Sequence, residues 1–168
     1  MPLPEPLLRG HRRDFQISQL VEASPIDATM PGERLLMNLV LPPWQRPEVW
    51  TDEQKVRFIE GIFLGLGAGY YVLNSPDWGK GGKPLPMAGW LLDGQQRITA
   101  IRDFLADRFP VFGDVFYSSL DPVVARRRFL REPFPRIELD YTGDEAVLRE
   151  LYNRLNFGGT PHTPDQRA

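Results

Sequence analysis

The residues with the clearest chemical potential are the consecutive polar set Asp93-Gly94-Gln95-Gln96-Arg97. They follow the apolar pair Leu91-Leu92 and precede apolar residues at helical spacing from Ile98, so the pattern predicts a short buried strand, a turn and a helix. Such a turn directs free backbone N–H groups at an anion, which the helix dipole also attracts. The local pattern leaves two interpretations open, an anion site or an ordinary turn with a solvated polar edge, because a single glycine falls short of a P-loop.

Two further polar turns occur at the ends of predicted elements. Gln45-Arg46 lies in a proline-restrained segment between two tryptophans, where Arg46 either faces a phosphate or stacks on an aromatic ring. Asn156, Gly158, Gly159 and Thr160 end the last predicted helix. Arginines, amides, a carboxylate and a glycine-rich turn suit the phosphates of a nucleotide. Asp93 could hold Mg²⁺, which binds proteins through few carboxylates together with phosphate oxygens.

The elements that must position these turns follow from periodicity and capping signals. Thr51 and Gln54 fit a capping box at the start of an amphipathic helix, and Thr142 and Glu145 fit a second one. We also expect strands at 34–41, 70–73 and 134–140, and short β-segments within 109–117. The strand at 134–140 should lie near a sheet edge because of its prolines. Further helices are expected over 15–23, 98–107 and 121–131.

Composition indicates a single soluble domain. The chain has 168 residues, 42% hydrophobic and 25% charged, with a net charge of −2 and no cysteine. Disulfides and thiolate metal sites are therefore excluded. The sequence has only two histidines, so we do not expect a histidine-rich metal site. No signal peptide or membrane span is evident, so we expect a cytoplasmic protein with no membrane partner. We expect a flexible N-terminal arm over 1–14 and one domain over 15–165.

Three motifs in this order resemble a known family. They are Gln45-Arg46 with Trp50, then Asp93 to Ala100, then Arg154, Asn156, Gly158, Gly159, Thr160 and Pro161. Together they resemble the N-terminal domain of GmrSD-type modification-dependent restriction systems, a member of the ParB/sulfiredoxin-like superfamily. The resemblance covers about residues 15–165.

The resemblance implies an α+β fold, a ParB/sulfiredoxin-like single domain with a small mixed sheet flanked by helices. It also implies binding and hydrolysis of a nucleoside triphosphate, which in such systems regulates DNA cleavage by a separate HNH-type nuclease domain. No nuclease module is present in this sequence. We therefore expect a short stand-alone version of the domain, linked to DNA metabolism or phage–host conflict, with a separate nuclease or host protein as a partner.

The leading hypothesis is a Mg²⁺-dependent NTPase built on these motifs. Asp93 would bind the metal or position water, Gln95 or Gln96 would orient the nucleophile, and Arg97 would stabilise the phosphates as the fourth catalytic residue. The expected nucleotide-binding residues are Gln45, Arg46, Gly94, Arg97, Thr99, Asn156, Gly158, Gly159 and Thr160.

Two other functions are open at this stage. A metal-dependent DNA nuclease would use the same pocket and needs a second acidic ligand, for which Glu48, Asp103 and Asp140 are candidates. A non-enzymatic binding module would use the arginine-rich helix at 126–131 or the long loop at 74–89. DNA could contact the arginine-rich surfaces, including the basic cluster Arg9, His11, Arg12 and Arg13.

Overall fold

A computed structural model describes residues 1–157, which form a four-stranded sheet, a separate two-stranded hairpin and helices. The strands are β1 Gly10–Arg13, β2 Arg34–Leu36, β3 Leu39–Leu41, β4 Tyr71–Asn74, β5 Leu91–Asp93 and β6 Arg136–Leu139. The helices are α1 Gln19–Glu22, α2 Asp52–Phe63, α3 Gln95–Leu105, α4 Pro122–Ala125 with a π-helical continuation over Arg126–Leu130, and α5 Glu145–Phe157.

The main sheet is mixed and has the strand order β1-β6-β4-β5. Strand β6 pairs antiparallel with β1 and parallel with β4, and β4 pairs antiparallel with β5. The register between β4 and β5 shifts between Val72, which faces Asp93, and Leu73, which faces Leu91. The expected α+β class with a small mixed sheet flanked by helices is confirmed.

Strand β5 lies between two hydrophobic clusters, which explains its unbroken apolar sequence. Leu91 belongs to the cluster that contains Ile59 of α2 and Ile98 of α3. Leu92 belongs to the cluster that contains Leu148 and Leu151 of α5. Successive side chains of a strand point to opposite faces, so α2 and α3 cover one face here and α5 the other.

The segment 34–41, predicted as one strand, is a hairpin. Met37 has a φ of +54° and reverses the chain between β2 and β3. The side chain of Asn38 donates to the carbonyl of Gln19 at 3.0 Å and holds the turn. The prediction of one strand was wrong because two short, mostly apolar strands have nearly the same hydrophobic pattern as one longer strand.

Strand β6 was predicted near an edge but is an inner strand. Pro133 and Pro135 precede Arg136, the first paired residue, so their missing N–H groups do not interrupt the hydrogen bonds to β1 and β4. The outer neighbour of β6 is β1, which comes from the 1–14 segment that we expected to be a flexible arm.

The predicted helix caps and the predicted short β-segments are confirmed only in part. The capping box of Thr51 and Gln54 is present at α2. At α5 the cap differs, because the carboxylate of Asp144 accepts from Ala146 N at 3.0 Å while the hydroxyl of Thr142 accepts from Asp144 N. The β-structure described in the 109–117 segment is an isolated bridge between Val111 and Val115. None of the helices formed by residues 1–157 has the length and apolar character needed to cross a membrane.

Candidate functional site

The first two polar turns of the sequence and Asn156 of the third converge on one cleft of about 180 Å³. The loop after β3, the β5–α3 turn and the last turns of α5 each contribute to its walls. The lining residues are Gln45, Arg46, Trp50, Asp93, Gly94, Gln95, Gln96, Arg97, Tyr152 and Asn156. The structure therefore brings together the first two motifs and Asn156. Gly158, Gly159 and Thr160 lie outside the described residues.

The turn between β5 and α3 requires glycine at position 94. Gly94 has a φ of +109°, and a Cβ there would lie 2.6 Å from the Cβ of Tyr71. The chain therefore turns close against β4, and α3 begins at the next residue. The first N–H groups of a helix have no partner within the helix, and the helix dipole gives this end a partial positive charge. The N-terminus of α3 thus offers an anion site at the cleft.

Arg97 is held at the cleft by three neighbours. One guanidinium nitrogen lies 3.2 Å from a carboxylate oxygen of Asp93, and the guanidinium carbon lies 6.0 Å from the ring centre of Tyr70. The backbone of Gly69 also approaches it closely, because a Cβ at Gly69 would lie 2.8 Å from Nη1 of Arg97. The Arg97 and Asp93 side chains are 26% and 22% exposed, so both are accessible to a ligand.

Gln96 connects α3 to the loop that carries Arg46. Its side-chain oxygen accepts from the backbone N–H groups of Val49 at 3.0 Å and Trp50 at 3.1 Å. Gln45 donates from Nε2 to the carbonyl of Leu91 at 3.4 Å. The other amide atoms, Oε1 of Gln45 and Nε2 of Gln96, are buried and have no hydrogen-bond partner among the described residues.

The wall formed by α5 is fixed by Asn156 and Trp44. The Asn156 amide donates to the carbonyls of Leu92 at 3.2 Å and Tyr152 at 2.8 Å, which joins the end of α5 to β5. Trp44 packs edge-on against Tyr152 and donates to Glu145 at 3.0 Å. The loop after β3 is therefore attached to α5 as well as to α3.

Thr99 lies away from the cleft. It is fully buried in α3, does not line the cleft, and its hydroxyl has no hydrogen-bond partner within residues 1–157. Two residues at the cleft, Tyr152 and Gly69, were not predicted from the sequence. Tyr152 follows Leu148 and Leu151 at the apolar spacing of α5, which is typical of a core residue. No spacing signal connects Gly69 with Arg97.

The acidic residues considered for a nuclease lie outside the cleft lining. Asp103 is buried and accepts from Lys55 at 2.8 Å, Arg102 at 2.9 Å and Arg108 at 3.1 Å. Burial alone would raise the pKa of Asp103, but the hydrogen bonds from Lys55 and Arg102 hold it below its ordinary value. Glu48 pairs with Arg102 at 3.1 Å.

The third acidic candidate, Asp140, faces His11 at 3.7 Å. Asp93 is thus the one carboxylate among the described residues that line the cleft. No cluster of three or more potential metal-binding His, Cys, Asp or Glu residues occurs within 1–157. This donor set fits a Mg²⁺ ion held by one carboxylate and by ligand phosphates.

The arginine-rich surfaces are partly neutralised. In the N-terminal cluster, Arg9 pairs with Glu5, Arg12 with Asp14 at 3.0 Å and Arg13 with Glu138 at 3.1 Å. In the 126–131 segment, Arg128 donates to the carbonyl of Phe63 at 2.8 Å, while Arg126, Arg127 and Arg131 are exposed.

Comparison with known proteins identifies the family. The family model described as the GmrSD restriction endonuclease, N-terminal domain, matches residues 31–132, which is more than half of the chain. No curated protein and no solved structure gives a significant match. A family of restriction systems connects its members with DNA metabolism or phage defence. The chain therefore belongs to the family of GmrSD restriction endonuclease N-terminal domains.

Proposed function

We propose that this domain binds a nucleoside triphosphate with its phosphates in the cleft and hydrolyses it with Mg²⁺, as a step in DNA restriction or phage–host conflict. The observation that carries the proposal is the convergence of Arg46, Arg97 and the N-terminus of α3 on one partly buried cleft. Two arginine side chains and a helix N-terminus line the cleft together with a single carboxylate, so the site favours a polyanion.

Two buried amide atoms lie in side chains that line the cleft, Oε1 of Gln45 and Nε2 of Gln96. Buried polar atoms in folded proteins are almost always hydrogen-bonded, and neither atom has a protein partner among residues 1–157. Both atoms are almost without exposed surface, so they suit a buried water molecule rather than direct contact with a phosphate.

Different residues of the cleft would have different roles in hydrolysis. Arg46 and Arg97 would bind the phosphates and stabilise the charge that develops on them. Gln95 lines the cleft and is the better candidate to orient the attacking water, because the side-chain oxygen of Gln96 is already used by Val49 and Trp50. Mg²⁺, held by Asp93 and the phosphates, would neutralise the charge on the phosphate oxygens.

Calorimetric titration of ATP, CTP, GTP and UTP with Mg²⁺ tests the binding step. We expect at least one nucleotide to bind the wild type, and Arg97→Ala and Arg46→Ala each to weaken binding about tenfold or more through loss of a charged hydrogen bond. Arg127→Ala removes an exposed arginine that does not line the cleft and should bind as the wild type does. Unchanged binding in both cleft variants would refute the assignment.

Hydrolysis needs its own measurement. Release of inorganic phosphate should be abolished in Asp93→Ala and strongly reduced in Gln95→Ala, with circular dichroism spectra unchanged. Phosphate release that persists in Asp93→Ala would refute the proposed role of this carboxylate. The same preparations should be incubated with plasmid DNA and Mg²⁺ or Mn²⁺, because nicking that depends on Asp93 would support a nuclease instead.

A further inference from the structure

Trp50 separates the cleft from a second, shallower depression. This depression has a volume of about 260 Å³ and is lined by Trp50, Gln54, Arg57 and Phe58. Trp50 is the residue that lines both spaces. The two spaces therefore adjoin at Trp50.

The cleft is too small for a whole nucleotide. Its volume of about 180 Å³ lies below the roughly 300–1,000 Å³ of pockets that enclose organic ligands. Its walls are also mainly polar or charged. A nucleoside triphosphate with its phosphates in the cleft must therefore place its sugar and base outside it.

The second depression has the chemistry that a nucleobase requires. Trp50 and Phe58 form an edge-to-face pair with ring centres 5.5 Å apart. Aromatic faces bind bases by stacking, and the polar side chains of Gln54 and Arg57 stand beside these rings. The hydrogen bond from Trp50 N to Gln96 fixes the tryptophan backbone relative to the helix that forms the phosphate site.

We propose that Trp50 is the stacking platform for the base of the bound nucleotide, whose nucleoside part occupies the depression beside Phe58. The proposal rests on the proposed phosphate site and extends it. It divides the binding energy into a phosphate part in the cleft and a base part on Trp50. Inorganic tripolyphosphate carries the first part alone and allows the two to be measured separately.

The test compares calorimetric affinities for tripolyphosphate and for the four nucleoside triphosphates, all with Mg²⁺. The wild type should bind its preferred nucleotide about tenfold or more tighter than tripolyphosphate, as expected for one stacked base. Trp50→Leu keeps an apolar side chain and should lose this preference, while its tripolyphosphate affinity stays within about twofold. Trp50→Phe should retain most of the preference.

Trp78→Leu is the matched control, because Trp78 is 53% exposed in the 74–89 loop and lines neither space. It should behave as the wild type. Equal affinities for tripolyphosphate and nucleotide in the wild type would overturn the proposal even if no variant folds. An equal loss for both ligands in Trp50→Leu would also overturn it, since Trp50 would then act on the loop alone. Absence of tripolyphosphate binding in the wild type would instead refute the phosphate site itself.

Discussion

The side-chain oxygen of Gln96 accepts a hydrogen bond of 3.1 Å from the backbone N–H of Trp50. It accepts a second one, of 3.0 Å, from Val49. Two polar motifs that lie almost fifty residues apart in the chain are therefore joined by one amide group. Through this contact the α3 helix determines the position of the loop that carries Arg46.

Replacing Gln96 should detach this loop. Gln96→Leu leaves two backbone N–H groups without their acceptor, and we expect a loss of about 1–3 kcal/mol in the free energy of unfolding. Gln96→Glu keeps an acceptor at a helix N-terminus, where a negative charge is favourable, and should retain most of the stability. Urea denaturation measures both. Gln95→Leu in the same turn is the control, and an equal loss in Gln96→Leu and Gln96→Glu would contradict the role of the acceptor.

Gly94→Ala should destabilise the domain more than a positive φ alone explains. The new Cβ would lie 2.6 Å from the Cβ of Tyr71, at a φ of +109°. Gly67 has a φ of +84°, and a Cβ at this position would meet no atom within 4 Å, so Gly67→Ala isolates the backbone strain. We expect a loss of about 1–2 kcal/mol for Gly67→Ala and about 1–3 kcal/mol more for Gly94→Ala. Urea denaturation measures the loss in the free energy of unfolding. Equal losses in Gly67→Ala and Gly94→Ala would show that Tyr71 moves aside for the new Cβ without a cost in stability.

Gly69→Ala should weaken phosphate binding through Arg97. A Cβ at Gly69 would lie 2.8 Å from Nη1 of Arg97 and would displace the guanidinium group from Asp93. We expect the affinity for tripolyphosphate to fall about tenfold, the effect of one lost charged hydrogen bond. Gly67→Ala is again the control, because it has the same strained backbone and no contact with Arg97. Equal affinities of the two variants by calorimetry would argue against this role of Gly69.

The Asp103 cluster should make stability depend on acid pH. The pKa of Asp103 lies below its ordinary value of 3.8 in the folded state, because Lys55 and Arg102 stabilise the charged form against the effect of burial. The ionised group therefore contributes stability above pH 3.8, and this contribution is lost as the pH falls through the lower folded-state pKa. Asp103→Asn should flatten the dependence of the unfolding free energy on pH below about 4. An unchanged slope in Asp103→Asn would refute the prediction.

Much of the local structure near the cleft follows from short-range patterns. The apolar pair Leu91-Leu92, the break at Gly94 and the helical spacing from Ile98 predicted β5, the turn and α3, and the structure contains all three. Capping chemistry predicted the start of α2 at Thr51. These features depend on hydrogen bonds and side-chain spacing within a few residues, so they can be predicted from the sequence alone.

Other features were decided by distant parts of the chain. The hairpin at 34–41 depends on a positive φ at Met37, and the hydrogen bond between the Asn38 side chain and Gln19 supports this turn. The inner position of β6 depends on its pairing with β1 and β4, and hydrophobic periodicity does not specify which strands become neighbours.

By itself, the sequence determined the family, the α+β class and the polar residues that end its strands and helices, because these depend on residue types in a recognisable order. The tertiary structure decided how those residues are used. Thr99 is buried in α3 outside the cleft lining, whereas Tyr152 is part of that lining. Glu48 and Asp103 lie outside the lining and form ion pairs with Arg102 and Lys55. These outcomes depend on packing between elements far apart in the chain, and local patterns contain no information about which buried partner each side chain meets.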